Sequence, residues 1–123
     1  MTAAKPASWT VLVVDDEPDI RYLLRVILEL AGYRVVEAAH GEAALEQVRD
    51  SPPQLVLTDQ MMPVMNGGEL IERLRAEAST KAIPIVMVSG TRSVQPGADA
   101  LLGKPFDPAE LIVLVDRLTG KEQ

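Results

Sequence analysis

The sequence predicts an α/β domain: a doubly wound sheet of five parallel strands with helices on both faces. Three observations predict it. Five short apolar runs recur along the chain, at residues 11–14, 35–36, 55–57, 85–88 and 101–102. They are continuous rather than alternating, as expected of strands covered on both faces. Segments with helical spacing separate them, and strands alternating with helices build a parallel sheet.

The elements follow in order. The first strand, residues 11–14, leads into a helix whose Ile20, Leu23, Leu24, Ile27 and Leu28 recur at i, i+3, i+4, i+7 and i+8. Gly32 stands where the C-terminus of that helix needs a residue free to turn left-handed. Residues 42–49 make a shorter helix behind Gly41, and Leu70, Ile71 and Leu74 give the third helix its inner stripe. The last helix opens at "FDPAEL", with Asp107 as cap, Pro108 at the first helical position and Glu110 completing a box-like cap. Its core face is Leu111, Leu114, Val115 and Leu118.

Composition bounds the function classes. A chain of 123 residues, 47% hydrophobic and 24% charged, is one globular domain. No run approaches the ~18 apolar residues that span a bilayer, and the opening "MTAAKPASW" is not a signal peptide. The absence of cysteine excludes disulfides and thiolate metal sites, and a cytoplasmic location is expected. A net charge of −6 without a basic stripe argues against direct nucleic-acid binding. The expected organisation is a loose tail over residues 1–9, the domain over 10–119 and a short tail over 120–123.

In open α/β sheets ligands bind beyond the carboxyl ends of the strands, at a topological switch point. Asp15 and Asp16 follow the first strand, Asp59 ends the third, Ser89 ends the fourth and Lys104 follows the fifth. Three carboxylates in one cleft repel unless a cation lies among them. Oxygen ligands without histidine or cysteine favour magnesium or calcium. Lys104 adds a positive charge that neither ion needs, which makes sense if an anion such as a phosphoryl group also arrives. A carboxylate nucleophile, a lysine and a strand-end hydroxyl then form a set for phosphoryl transfer onto aspartate.

Each residue has a plainer reading. Glu17 and Asp19 complement a helix dipole, Asp59 suits a turn, and Ser89 or Lys104 alone means nothing. Only their joint placement at successive strand ends favours chemistry. His40, the one histidine, reads as a solvated loop residue, and Met61, Met62 and Met65 as shape and packing. Trp9 reads as an anchor for the tail.

"VLVVDDEPDIRYLLRVIL", "LVLTDQMMPVMNGGEL", "IPIVMVSG" and "GADALLGKPF", in this order, resemble the receiver domain of two-component response regulators, with its flavodoxin-like fold. The resemblance covers roughly residues 10–119. It implies that Asp59 accepts a phosphoryl group from a histidine kinase or histidine phosphotransfer protein. It also implies magnesium held by Asp15, Asp16, Asp59 and the backbone carbonyl of Met61. Lys104 would contact the phosphoryl oxygens, Ser89 would be the switch hydroxyl, and the Lys104–Pro105 peptide would be cis. Beyond taking and slowly losing that group, no enzyme activity is implied. Only "GKEQ" follows the last helix, so signalling through a downstream protein target is expected, without an output domain.

The chain departs from that pattern twice. Only residues 90–98 separate Ser89 from the fifth strand, where a parallel crossover usually takes roughly a dozen or more. The family's fourth helix, between strands four and five, is therefore predicted missing or reduced to one turn. Leu101 occupies the position of the family's usual aromatic, so another element would carry the signal, such as the 90–98 loop ordering around Ser89. Losing that helix should uncover the apolar "LIVLV" of the last one, where Ile112 and Val113 suggest docking of a partner or a homodimer.

Three alternatives stand beside this reading. A degenerate receiver acting as a phosphorylation-independent scaffold fits the two departures but not the complete site. A phosphatase of the haloacid dehalogenase type would carry an aspartate where Met61 stands. A nucleotide-binding fold would need a glycine-rich phosphate loop that this chain does not have.

Overall fold

The computed structural model describes residues 9–90 and 95–121. Nine elements lie among the described residues, strands and helices alternating except that β5 follows β4: β1 (Thr10–Val14), α1 (Pro18–Leu30), β2 (Arg34–Ala38), α2 (Gly41–Asp50), β3 (Leu55–Asp59), α3 (Gly67–Ala76), β4 (Ile85–Ser89), β5 (Ala100–Gly103) and α4 (Pro108–Thr119). All strand pairs are parallel, in the order β2-β1-β3-β4-β5. The order reverses between β1 and β3, which puts the switch point at their carboxyl ends.

Alternation along each strand divides the core in two. Val11, Val13, Leu55, Leu57, Val86, Val88 and Leu102 face α1 and α4 with Leu24, Leu28, Leu111 and Val115. Leu12, Val14, Val56, Ile85 and Met87 face the other way, onto Ala44, Leu45 and Val48 of α2 and Leu70, Ile71 and Leu74 of α3. Both faces of the sheet are covered, so its strands read as unbroken apolar runs.

The helix ends follow the chemistry of their termini. Gly32 sits at φ 94° just past α1, its amide donating to Glu29 O at 3.0 Å while Tyr33 N donates to Leu28 O at 3.0 Å. Asp107 caps α4 by accepting from Ala109 N at 2.9 Å, behind Pro108. The reciprocal capping box appears on α3, where Asn66 and Glu69 exchange bonds of 2.9 and 3.1 Å. Met62 and Met65 pack inside, as expected; Trp9 is half-buried against the α1/α4 core, and the tail it was expected to anchor lies outside the described residues.

One expectation needs correction: Leu23 is 47% exposed, because Leu24 and Leu28 define the inner face of α1 and Leu23 lies one step of ~100° behind Leu24. On α4, Leu111 and Val115 are buried in the core with Leu114 and Leu118 packed half-buried against it, as expected, and Asp116 is unexpectedly buried beside them. The predicted loss of a helix between β4 and β5 falls partly on residues 91–94, outside the described ones. The described remainder holds a turn at Pro96 and Gly97 and no helix. Among the described residues, no helix is long and apolar enough to cross a membrane.

Candidate functional site

The strand ends bring the expected side chains to one edge. Asp15 follows β1, with its amide bonded to Ala38 O at 3.2 Å and its Oδ1 accepting from Glu17 N at 2.9 Å. Its side chain is buried, while Asp16 and Glu17 stand in solvent. Arg21 of α1 donates through Nη1 to Asp15 O at 2.7 Å and through Nε to Glu37 at 3.1 Å, tying the site to β2.

Asp59 is the last residue of β3 and only 5% exposed. Lys104 reaches it from beyond β5, with Nζ 3.0 Å from Oδ1. The approach is set by the backbone, because Lys104 N donates to Ser89 O at 2.9 Å and continues the β4–β5 ladder. Ser89, at the end of β4, is buried. A cleft of ≈ 590 Å³ runs past Ser89, Gly90, Leu101, Gly103, Lys104, Pro105 and Glu110. The Lys104–Pro105 peptide is cis, as the resemblance implied.

The loop after Asp59 is tightly drawn. Gln60 N donates to Val88 O, Gly67 N to Gln60 O at 3.0 Å, and Gly68 N to Gln60 Oε1 at 2.9 Å. Met65 N donates to Pro63 O at 2.7 Å across Val64, which sits at φ 68° and 98% exposed. Met61 points its side chain into solvent.

The carboxylates carry a charge problem. The Asp15 carboxyl is raised above its ordinary value, chiefly by burial and then by Asp59 and Asp16, against lowering by the Glu17 amide and Lys104. One oxygen each from Asp15, Asp16 and Glu17 lie within 4.8 Å of one another. An all-oxygen set with one buried member fits a hard divalent cation such as magnesium. Glu17 is the member that sequence reading left at the helix terminus, while Asp59 is in contact with Lys104.

Other contributors were invisible in the sequence. Gly67 packs so closely that a Cβ there would collide with the Asp59 carbonyl oxygen. His40 is exposed, as expected, but also caps α2 by accepting from Ala43 N at Nδ1, 3.2 Å. Only the doublet Gly67–Gly68, which opens α3, carries a hint of the first, and nothing marks the second.

Residues 11–116 match the family model described as "Response regulator receiver domain". The chain belongs to the response regulator receiver family. Among curated relatives, this receiver is 39% identical over 110 residues to the phosphate regulon transcriptional regulatory protein PhoB of Pseudomonas aeruginosa, covering 84% of this chain and 48% of that one. It is 35% identical over 128 residues to response regulator Rre1 of Synechocystis sp., covering 98% and 54%. The receiver thus spans about half the length of the curated relatives it matches. Among solved structures, a putative response regulator from Chloroflexus aurantiacus superposes with a TM-score of 0.87 at 33% identity, covering 93% of this chain and 99% of that one. The receiver domain of the Pseudomonas aeruginosa sensor histidine kinase PA1611 superposes at 0.86 with 27% identity, over 94% and 100%, and holds a magnesium ion in its active-site cleft.

Proposed function

We propose that this receiver accepts a phosphoryl group on Asp59 from a phosphohistidine of a histidine kinase or phosphotransfer protein, and signals by phosphorylation-dependent binding to a downstream protein. The reading takes residues 10–119 as the working unit. One observation carries it: the ammonium of Lys104 rests 3.0 Å from a buried carboxylate, beside a second buried carboxylate and two exposed ones.

Each group has a role on this reading. Lys104 holds Oδ1 of Asp59, so attack on phosphorus falls to Oδ2. The new bond is Oδ2–P, the bond that breaks is P–N of the phosphohistidine, and its electron pair leaves with the imidazole. Lys104 then lies against the transferred group, and the Ser89 hydroxyl at the neighbouring strand end donates to its oxygens. Asp15 and Asp16, with Asp59 and the Met61 carbonyl, would hold magnesium, which when bound neutralises charge on the phosphoryl oxygens. Burial of Asp59 limits water and so slows hydrolysis of the acyl phosphate.

The outward face of α4, where Val113 is 67% exposed beside half-buried Ile112, is the surface taken for the target or a second copy. A second reading, a scaffold that works without phosphate, is favoured by Leu101 standing half-buried where receivers usually carry an aromatic. Mass measurement on wild type and Asp59→Asn, incubated with a small phosphodonor and magnesium, separates the two.

A further inference from the structure

Arg75, in the last turn of α3, spends its guanidinium entirely on loops. Nε donates to Gly97 O at 2.9 Å, Nη1 to Lys81 O at 2.6 Å and Ile83 O at 2.8 Å, and Nη2 to Asp99 Oδ2 at 2.8 Å. Lys81 and Ile83 lead into β4, and Gly97 and Asp99 lead into β5. The same Asp99 Oδ2 accepts from Ile85 N at 2.8 Å, and Asp99 N donates to Ile85 O at 2.8 Å. One side chain therefore gathers the entrances of two adjacent strands. The turn at Gly97 is pressed onto the same helix: its φ is 89°, and a Cβ there would stand 2.9 Å from Cγ2 of Ile71.

The other end of those strands is the site. β5 has four residues and, among the described residues, pairs only with β4. Its ladder runs from Val86↔Ala100 to Ser89↔Gly103, and the next residue is Lys104. A short edge strand has few bonds to fix its register. A slip of one residue would carry Lys104 about 3.3 Å along the sheet and turn its side chain to the opposite face. Leu102 is buried in the α1/α4 core, but Leu101 is only half-buried on the other face, so packing alone holds that face of β5 less firmly. The Arg75 fork supplies a fixed point instead, with geometry that a lysine's single ammonium cannot reproduce.

We propose that Arg75 is a positioning residue: through Asp99 and Gly97 it pins the start of β5 to α3 and β4, and so sets Lys104 in place beside Asp59. The consequence for phosphorylation rests on the function proposed above; the placement of Lys104 does not.

The test uses the whole 123-residue chain with Arg75→Met, Arg75→Lys and Asp99→Asn, each shown by circular dichroism to be folded at the assay temperature. In Arg75→Met, the amide and side-chain resonances of Gly103 and Lys104 should move while those of β1 stay. Phosphorylation by acetyl phosphate should slow by about tenfold or more, within the ~100-fold that an ångström of misplacement can cost. Arg75→Lys should not rescue either readout. Asp99→Asn keeps an oxygen for Ile85 N, should shift the same resonances less, and decides the matter if Arg75→Met does not fold. Wild-type Lys104 resonances and rate in a folded Arg75→Met, whatever its melting temperature, would overturn the proposal. A wild type that takes no phosphoryl group overturns the function above, and the Lys104 resonances then decide the positioning role alone.

Discussion

Gly67 lies against Asp59 with no room for a side chain: a Cβ on it would strike the Asp59 backbone carbonyl oxygen and stand 3.0 Å from both Gln60 Cα and the Met87 methyl. The obstacle is backbone and cannot rotate away. Gly67→Ala should therefore cost about 1–3 kcal/mol, the usual range for overpacking. Urea unfolding should show a lower midpoint with an unchanged slope. Because the displaced atoms belong to the peptide of Asp59, the proposed phosphoacceptor, phosphorylation of the folded variant should slow as well.

Three residues earlier the loop carries strain that substitution can release. Val64 has φ 68° with a β-branched, fully exposed side chain, and the Met65 N to Pro63 O bond closes a tight turn around it. Such a backbone costs roughly 1–3 kcal/mol in a non-glycine residue. Glycine returns about 0.5–1 kcal/mol of that through its freer unfolded chain. Val64→Gly should therefore stabilise the domain by about 1 kcal/mol, read as a higher melting temperature.

Asp116 is a buried carboxylate whose Oδ1 accepts from the Tyr33 hydroxyl and whose Oδ2 has no hydrogen-bond partner among the described residues. The Tyr33 phenol is pushed up by burial first and then by Asp116, so it remains a neutral donor. Tyr33→Phe leaves the carboxylate wholly unpaired and should cost about 1–3 kcal/mol. Adding Asp116→Leu to Tyr33→Phe should recover much of that loss. A double variant as unstable as the sum of the singles would show that the pair is not the cause.

Glu37 accepts from Arg25 Nε at 2.6 Å and Arg21 Nε at 3.1 Å. Its carboxyl is held below the ordinary 4.5, first by the bond from Arg25, with burial opposing and Arg21 adding. A lowered value in the folded state means stability that is present above pH 4.5 and lost as pH falls through the folded value. Wild type should thus exceed Glu37→Gln in unfolding midpoint at pH 7 and lose that lead in acid. The side chain is 29% exposed, so added salt should shrink the lead.

The fold was legible because β1, β3 and β4 are buried on both faces and so read as unbroken runs, and because Gly32, Asp107 and Pro108 mark helix ends in ways local chemistry dictates. The edge was legible because Asp15, Asp59, Ser89 and Lys104 each sit at or just past a strand's carboxyl end, where topology alone brings them together. What stayed hidden depends on partners distant in sequence. Arg75 looks like a surface arginine until loops at 81–83 and 97–99 close on it. Asp116 looks solvated until Tyr33 reaches it across 83 positions. Leu23 was misplaced because a helical stripe tolerates a neighbour on its flank, and only the sheet decides which edge is covered.

If Asp59 takes a phosphoryl group with magnesium present, the mass of the intact protein shows it. Wild type and Asp59→Asn are incubated with acetyl phosphate, with and without magnesium. A single phosphoryl gain in wild type, absent without magnesium and absent in Asp59→Asn, is the predicted result. An unmodified wild type that nevertheless binds magnesium would rule out phosphoacceptance at Asp59 and leave the scaffold reading in its place.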